Sequence, residues 1–310
     1  KTRKQLILKP CRIKKYMNKI LILVLASNTY PSRRNEKAIK KTWAAKNIEN
    51  INIIFYKSGK HTSFKNNELT VVAGKKTTDI GYKTLRAFEW ANKNMEFDYL
   101  FRTNTSSYVN ISELKKKIET LNNDKNYIYS GIKMSLPKNE FRNKIDFISG
   151  AGILFNKNTI DLILSNGAEF DRNEMDDVAL GKLLKNHKIV PTSGTRFDIK
   201  GNITKQELSE NYYHYRCRID NHYGYPRFLE KFVIIFLHNS FDNKNTKRYR
   251  FFLNLFFELS KFFYIQAPFW KIYTFTKKIL KKILPKNFYK NIKTLLQKLD
   301  HRIKLRYLKN

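Results

Sequence analysis

The alternation of apolar and polar positions lays out strands and helices in turn. Residues 20–26 form an unbroken apolar run of β-branched residues and leucine, bounded by Ser27-Asn28. That is the pattern of a strand covered on both faces. A turn at Tyr30-Pro31-Ser32 follows, and Ala38, Ile39, Thr42 and Trp43 then recur at helical spacing. Residues 51–56 predict a second strand, 57–67 a polar loop, and 69–73 a short, edge-like third strand. Residues 84–94 read as a helix with Leu85, Phe88 and Trp90 among its apolar positions. Residues 97–102 predict a strand that runs into a polar loop at 103–107. Residues 111–121 then predict a helix capped by Asn110 or Ser112. At 147–155 a small-residue turn holding Gly150 and Gly152 leads into an apolar run. A helix at 159–165 ends at Asn166-Gly167, and an acidic stretch at 171–177 opens a helix over 178–186.

This order predicts the α/β class, with a mostly parallel central sheet flanked by helices. Ligands bind such sheets at the carboxyl ends of the strands. The loops at 27–32 and 103–107 are therefore candidate site loops on geometry alone.

The last quarter of the chain is a different material. Residues 231–310 carry 19 Lys/Arg against 3 Asp/Glu, within a total net charge of +35. From 269 to 303 apolar residues recur at helical spacing, among them Ile272, Phe275, Ile279, Ile283, Leu295 and Leu299. Lysines at 277, 278, 281 and 282 lie between them, and Pro285 interrupts the pattern. A basic amphipathic stretch with Trp270 and phenylalanines nearby fits an anionic membrane surface. A helix packed on the body is the other reading. Nucleic acid is the least favoured partner, because the lysines are interleaved with a continuous apolar stripe. The expected domains are a basic leader at 1–16, a body at 17–230, and a basic, aromatic-rich helical tail at 231–310 whose residues 245–310 anchor it. No segment reads as a transmembrane helix, since the longest early apolar run is far short of about 20 residues. Two cysteines, Cys11 and Cys217, cannot form a disulfide framework. With no signal segment apparent, a cytoplasmic location at the inner face of the membrane is expected.

Four segments in order resemble the Fringe-like β-1,3-glycosyltransferases, the family 31 group. Residues 33–43 hold Ala38, Ile39, Thr42 and Trp43 where that family has its early R-x-A-I-R-x-T-W helix. Residues 83–90 look like its K-T-L-x-G-L-x-W helix, with Asp79 just upstream. Residues 97–110 are similar to the strand and loop that carry D-D-D. Ser149 to Gly152, together with 175–181, are similar to its S-G-G-G and D-D-V-x-x-G pair. The resemblance covers roughly residues 20–225. It implies a single GT-A domain, a nucleotide-sugar donor and inversion at the anomeric carbon.

One departure is chemically specific. The position of D-D-D is taken by Asn104-Thr105-Ser106, and neutral amide and hydroxyl oxygens are poor anchors for Mg²⁺ or Mn²⁺. The leaving diphosphate still needs its charge neutralised. In the first reading no cofactor is required, and cationic groups do that work. Arg102, Lys83, Arg172 and the Arg216/Arg218 pair are candidates, because guanidinium grips phosphate bidentately. A weakly held Mn²⁺ or Mg²⁺, through His214 and donor oxygens, is the second reading. A pseudoenzyme that binds without turnover is the third.

The resemblance places the general base in the acidic pair, at Asp177. Inverting transfer needs a carboxylate within reach of the acceptor hydroxyl. Asp176 either stands in for it, binds acceptor, or raises its neighbour's pKa by like charge. Ser27, Arg33, Arg34 and Asp79 are expected on the nucleotide side, with Lys83, Arg102, Thr103, Asn104, Thr105 and Ser106. Gly150 and Gly152 are expected to let backbone approach donor or acceptor, beside His214 and Arg216. The function expected is transfer of a hexose or N-acetylhexosamine from a UDP-sugar to a glycan, lipid-linked for preference, in cell-surface polysaccharide synthesis. The rivals are a non-catalytic nucleotide-sugar or glycan-binding protein and a basic nucleic-acid-binding protein.

Overall fold

The computed structural model describes residues 18–45, 47–74, 79–121, 126–137, 144–172, 174–199, 203, 211–219, 227–242, 250–251 and 253–255. The chain divides into two compact units, Lys1–Leu253 and Asn254–Asn310. The expected leader at 1–16 and nearly all of the expected anchor at 245–310 lie outside the described residues.

The first unit is a mixed α/β body. Its elements are β1 (Ile20–Leu25), α1 (Ser32–Ile39), β2 (Ile51–Gly59), β3 (Ser63–Lys65), β4 (Glu68–Val72), α2 (Ile80–Asn94), β5 (Tyr99–Asn104), β6 (Ser107–Val109) and α3 (Ile111–Thr120). Then come β7 (Tyr129–Leu136), β8 (Ile145–Asn156), α4 (Lys157–Ser165), α5 (Asp176–Asn186), β9 (Thr192–Ser193), β10 (Phe197–Asp198), β11 (His214–Arg216) and α6 (Glu230–Phe241). The central sheet has the order β3-β4-β2-β1-β5-β8-β7-β9. β4, β2, β1 and β5 run parallel to one another, while β8 runs antiparallel between β5 and β7. A small second sheet joins β10, β11 and β6.

β1 pairs on both sides, with β2 and β5. That is why its residues are apolar without alternation: Ile20 to Val24 are all buried. α2 presents Leu85, Ala87, Phe88 and Ala91 to a core shared with Leu21, Leu23, Tyr56, Leu100 and Phe155. Burying each large apolar side chain contributes about 1.5–3 kcal/mol. Asn110 caps α3 by accepting the Glu113 N–H, and Asn156 caps α4 by accepting that of Thr159.

Several local expectations shift. The polar stretch 57–67 is not a plain loop. β2 continues to Gly59, and β3 returns as a hairpin on β4 through Asn66-Asn67, both at positive φ (51° and 58°). Asparagine tolerates that left-handed backbone, so the hairpin forms without glycine. β3, not β4, is thus the edge. The polar loop after β5 is short, because β6 begins at Ser107. Residues 147–155 are not a turn and a run but part of one strand, β8, paired on both flanks. α2 starts four residues earlier than expected, at Ile80. α6 falls inside the stretch expected as tail, yet Val233, Ile234, Phe236 and Leu237 are buried and the helix packs on α1. The first compact unit accordingly runs to Leu253, because α6 has an apolar face to cover. Among the described residues no helix is long and apolar enough to cross a membrane.

Candidate functional site

Leu25 pairs with Asn104 across β1 and β5, and Thr103 pairs with Gly152 across β5 and β8. The loop after β1, the end of β5 and the glycine stretch of β8 therefore meet at one edge of the sheet. This is the carboxyl edge of the parallel strands. α5 begins beside it with Asp176 and Asp177 in its first turn, where the helix dipole favours negative charge.

Beneath this edge lies a closed ring of side chains. Arg102 is 2% exposed. It donates to the Asp176 carboxylate, to the Gly150 carbonyl and, through Nε at 3.2 Å, to the Tyr56 hydroxyl. Tyr56 Oη lies 3.1 Å from Thr84 Oγ1, which in turn donates to Asp176 Oδ2 at 3.2 Å. Burial opposes the guanidinium's charge, but Asp176 and then Tyr56 outweigh it and raise the Arg102 pKa further. Burial, followed by the charge of Asp176, pushes the Tyr56 phenol up. Arg102 therefore stays charged and the Tyr56 phenol neutral.

Asp177 stands at its rim, half-buried. Its Oδ2 accepts the Gly150 N–H at 2.9 Å and its Oδ1 that of Val178 at 3.0 Å. Burial raises its pKa above the ordinary 3.8, and the neighbouring Asp176 adds to this. The backbone N–H groups and Arg102 pull the other way. A carboxylate raised in this manner is a stronger base than an exposed one. The glycine at 150 has a steric reason: a Cβ there would sit 3.0 Å from the Arg102 guanidinium and 3.2 Å from Asp177 Oδ2.

The other sequence candidates divide. Ser27 N–H donates to Ser32 Oγ at 2.8 Å, and Thr105 Oγ1 donates to the same oxygen at 3.0 Å. This ties the β1 loop to the β5 loop. Asn104 Oδ1 folds back onto the Ser106 N–H at 2.9 Å. Thr103 Oγ1 is held by the Ala151 carbonyl at 2.7 Å. Ser106 Oγ faces away from this edge network, donating to Glu230 Oε2 at 2.8 Å and accepting from Arg227 at 3.0 Å. Arg33 is exposed, and Arg34 lies 5.7 Å over the Tyr30 ring. Asp79 is half-buried beside Gly74, where a Cβ would meet its carboxylate at 2.1 Å. Lys83 is buried on the first turn of α2.

His214 is buried, its Nε2 3.0 Å from Ser107 Oγ and its ring edge-on to Phe101. A Cβ on Gly152 would lie 2.4 Å from its Nδ1. Burial drops its pKa far below the usual imidazole value, with Arg196 and Arg216 adding to the effect, so it is neutral. Arg216 is half-buried on β11, in register with Ser107 of β6. These groups do not fit a divalent cation as arranged. The Asn104 oxygen and the Ser106 hydroxyl are already bonded within the protein, and His214 Nε2 is taken up by Ser107. Among the described residues no group of three His, Cys, Asp or Glu side chains converges as a metal would require.

Four contributors were not singled out from sequence: Tyr56, Thr84, Glu230 and Arg196. Tyr56 and Thr84 look like ordinary core positions in a strand and a helix. Arg196 donates to Ser149 Oγ at 3.0 Å, next to Gly150, and to Asp198 Oδ2 at 3.0 Å. Its partners become visible only when the small sheet folds against β8. The one sequence cue was the tyrosine at the carboxyl end of an apolar strand.

No protein-family model matches the chain, and no curated protein matches it. Among solved structures it is similar to the inositol-1-phosphate CTP transferase from T. maritima, at 11% identity. That match covers 57% of this chain and 85% of that one, with a TM-score of 0.33. It is also similar to HddC from Yersinia pseudotuberculosis, at 14% identity, covering 47% and 79%, with a TM-score of 0.25. Likeness of this degree leaves a common fold unestablished, so function has to be read from the site's own geometry.

Proposed function

We propose that the protein is an inverting glycosyltransferase of GT-A type that uses a nucleotide-sugar donor, a UDP-sugar for preference. The observation that carries this reading is Asp177: a half-buried carboxylate with a raised pKa, fixed by the Gly150 N–H at the carboxyl edge of the sheet. Asp177 takes the proton of the acceptor hydroxyl as that oxygen attacks the anomeric carbon and the nucleoside diphosphate departs. Asp176 pairs with Arg102 and orients the first turn of α5. Ser27, Arg33, Arg34, Asp79 and Asn104 line the donor side, and Gly150, Gly152 and Arg216 the opposite side. The acceptor is a glycan, lipid-linked in this reading, and residues 245–310 hold the enzyme on an anionic membrane surface.

The test is nucleoside diphosphate release across a panel of UDP-sugars, with glycan acceptors, in EDTA and in Mn²⁺ separately. Turnover that disappears in Asp177→Asn is expected. Absence of both UDP binding and turnover would overturn the reading. Removing residues 245–310 is expected to release the protein from anionic vesicles in a sedimentation assay, and undiminished binding would refute the anchor.

A further inference from the structure

Lys83 has no part in the ring described above, although it sits beside it. Its residue is 5% exposed, and it lies on the inward face of α2 next to Thr84. Among the described residues its ammonium makes no hydrogen bond and no ion pair. The charges that act on it are those of Asp79, Arg102 and Asp176. Arg102 already satisfies Asp176. Its Nζ is not among the unbonded side-chain atoms sealed from solvent, so the ammonium keeps an accessible face.

A largely buried side chain whose ammonium has no partner among the described residues carries a desolvation cost. Burial pushes its pKa down, and the nearby carboxylates offset only part of this. A side chain that only had to pack here would be cheaper as methionine or leucine. The cost has a purpose if an anion completes the site. The place is right for one: the N-terminal turn of a 15-residue helix, at the carboxyl edge of the sheet.

We propose that Lys83 is the anion-binding group of this edge and that it takes a diphosphate oxygen of the donor. This rests on the nucleotide-sugar reading for the identity of the ligand, but not for the existence of the anion site. In that role Lys83 holds the diphosphate of the departing nucleoside diphosphate, supplying a cation on a fixed helix where the loop 104–106 offers only neutral groups. Arg102 does not do this, because its guanidinium is consumed by Asp176, Gly150 and Tyr56.

The experiment is calorimetric titration of the full chain, in EDTA, with inorganic pyrophosphate, UDP and uridine. Lys83→Met is expected to weaken pyrophosphate and UDP by about 10- to 100-fold, the range of one charge-assisted hydrogen bond, and to leave uridine unchanged. Lys83→Arg, which keeps the cation, is expected to retain most of the affinity and guards against a fold defect in the methionine variant. Pyrophosphate binding as tight in Lys83→Met as in the wild type would overturn the assignment. So would a wild type that binds no pyrophosphate. Lys83-dependent binding of pyrophosphate with no preference for UDP would uphold the anion site and remove the nucleotide-sugar reading. UDP binding indifferent to Lys83 would do the reverse.

Discussion

Two ion pairs flank the end of β5, and they are built to opposite ends. Arg102 and Asp176 lie on the side of α5, and Arg227 and Glu230 on the side of α6. In the second pair Glu230 is fully buried and its acceptor positions are filled. Oε1 takes Arg227 Nε at 2.6 Å, and Oε2 takes Asn35 at 2.5 Å and Ser106 at 2.8 Å. Its effect is to clamp α1, the β5–β6 turn and α6 together. In the first pair Asp176 is just as occupied, but the next residue is Asp177, which among the described residues accepts from two backbone N–H groups and no side chain. One network closes a loop. The other holds a carboxylate at an open edge and keeps its charge high in energy. The lesson is that burial of charge alone does not mark a site, whereas burial of charge beside unspent acceptors does.

Substitutions separate the two. The largest expected effect is that of Asp177→Asn on turnover, a loss of about 10²- to 10⁴-fold in nucleoside diphosphate release with donor affinity retained. The same variant carries a stability signature. The folded pKa of Asp177 lies above its unfolded value, so its stabilising contribution is complete only at pH below 3.8 and is lost as pH rises through the folded pKa. Near neutral pH, Asp177→Asn is therefore expected to melt at or above the wild-type temperature, while wild-type activity falls off in acid from a point above the ordinary aspartate range. A variant that lost activity and melted lower would assign Asp177 to structure.

Next comes Arg102→Met, which strands Asp176 in a buried position and is expected to cost about 3–5 kcal/mol by chemical denaturation. Glu230→Gln is expected to cost less, about 2 kcal/mol, because the Arg227 side chain it leaves is 32% exposed and can turn to water. Equal costs at the two sites would erase the distinction between them.

Much of the framework was readable along the chain. β1 announced itself by six apolar residues in a row, α3 by Asn110 at its cap, and α4 by the Asn166-Gly167 that ends it, while the Asn156 cap of α4 emerged only in the structure. Asp176-Asp177 at the head of α5 was readable too, since carboxylates at a helix start have a local reason to be there. The hairpin at Asn66-Asn67 was not, because a left-handed asparagine has no signature in composition. Nor was α6 as part of the body: its apolar residues matched those of the basic tail that follows, and only the exposed flank of α1 gave them somewhere to pack.

The deeper divide concerns partners. Periodicity and capping act over three or four residues, so strands, helices and the acidic pair follow from local chemistry. Pairing acts across the whole chain. That Arg102 would be consumed by Asp176, 74 positions away, and Ser106 by Glu230, 124 away, follows from the order in which strands meet in the sheet. Of the cations the chain offers near this edge, folding paired Arg102 with Asp176 and left Lys83 without a partner among the described residues. Electrostatics in a buried site depends on distances that no stretch of sequence contains.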